Sequence, residues 1–203
     1  MHEAQQWDRN CFITLTYREK PPWNSLRHKD FQLFMKRLRK RCLGHQVVEV
    51  EQDDGSFKDT YPIRYYMAGE YGTHGGRPHY HACLFNFRFT DLEFLRRTDS
   101  GSDLYRSPLL ESLWTHGFSS VGDVTYQSAA YVARYVMKKQ KQEEDKFQEV
   151  DLETGETVSR LPEYNKMSLK PGIGANFLDE YKSDVFPHDY VVVNGYKAKP
   201  PRY

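Results

Sequence analysis

Residues 63–87 read IRYYMAGEYGTHGGRPHYHACLFNF: two apolar-rich runs separated by a connection that Gly75, Gly76 and Pro78 keep out of regular structure. The runs, Ile63 to Gly72 and His79 to Phe87, read as long strands, and so short a connection makes them antiparallel neighbours. His79 and His81 stand two apart, so a strand projects both imidazoles from one face. Glu70, on the preceding run, comes beside them if the two strands pair. Two nitrogens and one carboxylate make a three-ligand platform with open positions, which suits Mn²⁺ or Mg²⁺ acting as a Lewis acid on a phosphoryl group. The HxH pattern alone is short, and two strand histidines with a glutamate equally fit ordinary surface or core polar positions. Asp123 and Glu49 stay open as alternatives to Glu70 for the third ligand.

Upstream, CFITLTY at 11–17 alternates with the period of two of a core strand. After Pro21-Pro22, the segment Ser25 to Leu43 carries Phe31, Phe34 and Leu38 near helical spacing and predicts a basic amphipathic helix. Val47 to Val50 and Phe57 to Tyr61 flank a DDGS turn and predict a hairpin. Downstream, Leu92 to Arg97 and Ser107 to Trp114 read as helices, and Phe118 to Val124 as a strand. Ser128 to Lys139, SAAYVARYVMKK, is rich in helix formers with no internal Gly or Pro and predicts a helix. Residues from about 140 to 165 are polar and acidic and read as a mobile insertion with an exposed hairpin about Thr154-Gly155. A short helix, a short strand at Tyr190 to Val193 and a basic tail follow.

At 203 residues the chain fits a single domain spanning 1–203. No apolar run approaches the roughly 18 residues that a membrane span needs, and MHEAQQWDRN lacks the pattern of a secretory signal. Cys11, Cys42 and Cys83 are widely spaced and read as reduced thiols. The net charge of +1 hides an uneven distribution. From Arg27 to His45 the only acid is Asp30, among bases that include Lys36, Arg37, Arg39, Lys40 and Arg41, whereas Glu143 to Glu156 is acidic apart from Lys146. The first region attracts phosphate and the second repels it. Fifteen tyrosines suit stacking on unpaired bases.

Tyr131 and Tyr135 stand four apart on the predicted 128–139 helix, one turn of about 5.4 Å from each other, with Lys138 a further turn along that side. A phenol so placed is a candidate nucleophile, although tyrosines at this spacing also serve as ordinary packing. Its ordinary pKa near 10 calls for a nearby cation or a metal-polarised phosphate. Arg134, Lys138 and Lys139 read either as phosphate contacts or as solvated charges.

The order FITLTY, RPHYHACLF, YVARYVMKK resembles the three motifs of the HUH superfamily of rolling-circle replication initiators. Within it the chain is most similar to the initiators of gokushoviruses, a branch of the single-stranded DNA microviruses, a likeness that extends through KPGIG and the PPRY ending. The resemblance implies an α+β fold of the RRM-like or ferredoxin-like kind, with a central antiparallel sheet of about five strands flanked by helices and HYH on a middle strand. It implies that His79 and His81 bind the divalent metal with Glu70 as third ligand, that Tyr135 is the first nucleophile and Tyr131 its alternate, and that Lys138 assists at the phosphate. Arg77 in the RPHYH motif and Arg134 beside Tyr135 join the basic 36–41 region and Lys139 as DNA contacts. The expected partners are origin single-stranded DNA, held in a covalent 5′-phosphotyrosine adduct, and host replication proteins in the bacterial cytoplasm. Two other readings compete: a non-catalytic single-strand-binding module, and a transposase or relaxase with the same chemistry.

Overall fold

The structure, a computed structural model, describes residues 1–41, 48–51, 57–60, 63–72, 76–138, 148–150, 154–186, 188–193 and 195–199, with backbone alone at 23, 48–51, 57–60, 135–138, 148–149, 158 and 193. In chain order its elements are α1 (His2–Gln5), β1 (Asn10–Tyr17), α2 (His28–Arg41), β2 (Val48–Glu51), β3 (Phe57–Thr60), β4 (Arg64–Tyr71) and β5 (Pro78–Phe85). There follow β6 (Glu93–Arg97), β7 (Asp103–Arg106), α3 (Pro108–Leu113), β8 (Gly117–Gly122), α4 (Tyr126–Lys138), β9 (Gln148–Val150) and β10 (Thr157–Ser159). β11 (Tyr164–Met167), α5 (Ala175–Val185), β12 (Val191–Val193) and β13 (Tyr196–Ala198) complete the chain.

Seven strands form one sheet in the order β11-β4-β5-β1-β8-β7-β6, and every pairing within it is antiparallel. The α+β class with HYH on an interior strand is as expected, but the sheet is wider than about five strands. The extra width comes from its edges. Residues 93–97 form β6, a strand and not the expected helix, because the Thr98–Ser102 turn folds them back onto β7 and the ladder outweighs the helix propensity of a Leu- and Arg-rich run. At the other edge, Tyr164 and Asn165 were expected to close the acidic insertion, yet they pair with Gly69 and Ala68 as β11. The hairpin about Thr154-Gly155 forms from β9 and β10, while 139–147 and 151–153 of the insertion, and 200–203 of the tail, lie outside the described residues. The tail contributes the hairpin β12–β13 where a single strand was expected.

Alternation along the strands separates two faces. Ile13, Leu15 and Tyr17 of β1, Tyr80, Ala82 and Leu84 of β5 and Val121 of β8 point to one side, where Phe31, Phe34, Met35 and Leu38 of α2 and Leu110 and Leu113 of α3 close the main core. Ser107 caps α3 by accepting from the Leu110 N–H at 3.0 Å. On the other face, Ala68, Cys83 and Phe85 pack against Val132 and Ala129 of α4. Cys11 and Cys83 are buried free thiols, each pushed by burial up to about 12. At Gly117 a Cβ would fall 2.2 Å from the Arg18 backbone nitrogen, so only glycine lets β8 start so close against the end of β1.

Candidate active site

The register that pairs β4 with β5 sets Glu70 opposite His79 and Ala68 opposite His81. Glu70, His79 and His81 therefore share the α4 side of the sheet, and one ligand atom from each lies within 4.8 Å of the others. Glu70 Oε1 is 2.6 Å from His79 Nε2 and 3.0 Å from His81 Nε2, and it accepts from the Tyr131 hydroxyl at 2.6 Å. The other ring nitrogens have their own partners. His79 Nδ1 donates to the Arg77 carbonyl at 3.1 Å, and His81 Nδ1 lies 3.0 Å from Thr14 Oγ1. Partners on Nδ1 orient each ring so that both Nε2 atoms face the carboxylate. Phe12 stacks on the His81 ring at 5.6 Å, and Tyr131 meets its edge at 5.0 Å.

The electrostatics follow from this crowding. Burial alone would raise the Glu70 carboxyl, but hydrogen bonds from His79, His81 and Tyr131 outweigh it and hold the group down to about 2. Burial disfavours charge on His79, yet its bonds to Glu70 and the Arg77 carbonyl raise it; His81, more enclosed, is lowered by burial despite Glu70. Burial, and then the adjacent carboxylate, push the Tyr131 phenol above its ordinary value. Among the described residues Glu70 Oε2 is a buried oxygen without a hydrogen-bond partner. A buried acceptor left this way is costly unless a cation takes it, and with two imidazole nitrogens the donor set fits a hard or borderline divalent ion. The group could therefore hold a metal.

The competing acids do not join this cluster. Asp123 is exposed and bound to Arg88 at 2.7 Å, and the Glu49 side chain lies outside the described residues. The α4 backbone carries Tyr131, Tyr135 and Lys138 in that order, with Tyr135 one turn beyond the phenol on Glu70. The side chains of Tyr135 and Lys138, and all of Lys139, lie outside the described residues. Arg134 is exposed, and Arg77 donates to the Tyr17 carbonyl at 3.3 Å at the end of the sheet that carries His79. The basic helix is not brought to the site: α2 packs on the opposite sheet face. There Lys36, Lys40 and Arg41 are exposed, while Arg37 and Arg39 are half-buried donors to the carbonyls of Leu113 (2.8 Å) and Ile63 (3.0 Å). Sequence reasoning passed over Thr14 and Phe12, which hold the His81 ring; the alternation of FITLT carried that signal, since residues opposite HYH on a paired strand must share its face.

Among the described residues no helix is long and apolar enough to cross a membrane. The family model for replication-associated protein ORF2 matches residues 10–140, a span that holds β1, the HYH strand and α4. The chain is 37% identical over 205 positions to replication-associated protein VP4 of Bdellovibrio phage phiMH2K, covering 100% of this chain and 58% of that protein. It is 31% identical over 206 positions to replication-associated protein ORF2 of Spiroplasma virus 4, covering 96% and 56%, and 28% over 209 positions to replication-associated protein ORF4 of Chlamydia phage 1, covering 99% and 46%. The chain thus spans about half the length of these relatives. No solved structure matches it. By the family match across most of its length, the chain belongs to the replication-associated protein ORF2 family.

Proposed function

We propose that residues 1–203 form a single HUH-type endonuclease unit that nicks single-stranded DNA at a replication origin and holds the cut end as a 5′-phosphotyrosine. The observation that carries the reading is the Tyr131 hydroxyl 2.6 Å from the carboxylate that also binds both histidines of the HYH strand. A candidate nucleophile and a candidate metal platform are thus one site, built by α4 lying across β4 and β5. A divalent cation held by Glu70, His79 and His81, Mn²⁺ or Mg²⁺, would supply Lewis acidity to a phosphoryl oxygen.

The chain's own residues do the rest. A phenolic oxygen of α4, Tyr135 in the first cut and Tyr131 in the alternate one, bonds to phosphorus as the O3′–P bond breaks. The proton passes from the phenol to the departing 3′-oxygen, which leaves a free 3′-hydroxyl for a polymerase to extend. Attack of a 3′-hydroxyl on the phosphotyrosine reverses the step and rejoins strands without ATP, because the phosphodiester energy is kept in the adduct. Arg134, Lys138 and Lys139 steady the phosphate. Such an initiator works in the host bacterial cytoplasm, with origin DNA and host replication proteins as partners. The test is product analysis on origin single strands: with Mn²⁺, wild type should yield a 3′ end that polymerase extends and a 5′ end blocked to kinase. Cleavage that persists undiminished in excess chelator and in His81→Ala would count against the reading.

A further inference from the structure

The sheet face that bears the metal group does not end at α4. Thr16 of β1 pairs with His79 on one side and with Phe118 of β8 on the other, and residues opposite one another in a ladder share a face. Phe118 therefore stands on the same face as His79, two strand spacings or about 10 Å away. Val121 points into the main core, which fixes this orientation. Yet Phe118 is 56% exposed, an uncovered aromatic ring on a strand that is otherwise half-buried or buried. One side of the ring is already occupied: the Arg18 guanidinium carbon sits 5.3 Å from its centroid. Arg18 is exposed and, among the described residues, has no carboxylate partner, whereas nearby Glu111 is bound to Arg106. Between this pair and the histidines lies Arg77, hydrogen-bonded to the Tyr17 carbonyl.

Resting on the proposed function, we infer that Phe118 and Arg18 form a clamp for single-stranded DNA beside the metal group. The free side of the ring takes a base, and the guanidinium, together with Arg77, meets the adjoining phosphates. Three observations select this occupant. An aromatic face with an arginine on its back is a stacking platform that accepts any base. The unpaired positive charges on the same face match a phosphate backbone. The patch is also continuous with the site where the proposed reaction takes place, so one strand lying over both would be held next to its reacting phosphate. A duplex would not fit this use, since its bases are already stacked.

The test is equilibrium binding of a fluorescent origin single strand in chelator, where no cutting occurs, to wild type, Phe118→Ala, Phe118→Tyr and Arg18→Ala. Mn²⁺ affinity by calorimetry and thermal melting are measured on each variant. The clamp requires Phe118→Ala to weaken binding roughly tenfold, Phe118→Tyr to restore it, and Arg18→Ala to flatten the salt dependence by about 0.7 in the log–log slope, with Mn²⁺ affinity and melting unchanged. Wild-type affinity in Phe118→Ala overturns the clamp and leaves the nicking site standing. Failure of wild type to bind any origin strand overturns both.

Discussion

At the scale of the residue, Glu70 is the pivot of the candidate site. One of its oxygens collects two imidazoles and a phenol while the other is buried without a partner, and the strand register rather than chance proximity puts it there. Removing a first ligand should cost more than the 10–100-fold typical of an outer-shell partner. Glu70→Ala is therefore expected to abolish measurable Mn²⁺ binding by calorimetry, while Asp123→Ala, which breaks only an exposed pair with Arg88, leaves it unchanged. The reverse pattern would transfer the third ligand to Asp123. The sequence could raise Glu70 as a candidate because a short connection forces β4 and β5 together, but it could not separate Glu70 from Asp123, since that choice depends on which strand lies across from His79. Thr14, Phe12 and Phe118 were invisible for the same reason: each gains its meaning from a partner on another strand.

At the scale of the element, α2 joins two roles that a charge count merges. Arg37 and Arg39 spend their guanidinium N–H groups on the carbonyls of Leu113 and Ile63, tying α2 to the end of α3 and the start of β4. Arg37→Ala or Arg39→Ala is expected to lower stability by about 1.5–3 kcal/mol in denaturant titration, the range for hydrogen bonds to a charged group, whereas Lys36→Ala should stay within about 0.5 kcal/mol. The exposed three speak to DNA instead. If Lys36, Lys40 and Arg41 all meet phosphate, their joint replacement by alanine should flatten the log–log salt slope for single strands by about 2. An unchanged slope would place the DNA path on the Arg18 and Arg77 side of the sheet. The regular elements α2, α4, β1, β4 and β5 were legible because each carries a full period of apolar residues. The run 93–97 was not, because an edge strand with all five residues exposed has no buried face to print an alternation.

At the scale of the whole molecule, distant segments are stapled to the sheet by one buried ion pair. Arg64, at the start of β4, binds Glu3 of α1 at 2.7 Å and donates to the carbonyls of Pro171 and Gly172. Glu3 Oε2 in turn accepts from the Gly174 N–H that opens α5. No periodicity announces such a link, and β11 was likewise hidden in a polar segment whose pairing with β4 is decided by the fold. Glu3→Ala leaves a buried guanidinium without its carboxylate and is expected to destabilise the protein by about 3–5 kcal/mol by thermal or chemical unfolding; a loss below about 1 kcal/mol would show that the carbonyls of 171–172 suffice.

The likeness of β1, the HYH strand and α4 to one family matters to function only if a tyrosine of α4 attacks DNA at the Glu70 group. The most direct measurement is a denaturing gel of the protein after incubation with origin single strands and Mn²⁺, for wild type, Tyr131→Phe, Tyr135→Phe and the double variant, followed by mass spectrometry of the nucleotide-bearing peptide. A shifted band in wild type, its disappearance in the double variant and a peptide from 126–138 carrying the nucleotide are the expected result. A shifted band that survives in the double variant would place the nucleophile elsewhere and contradict the active site described above.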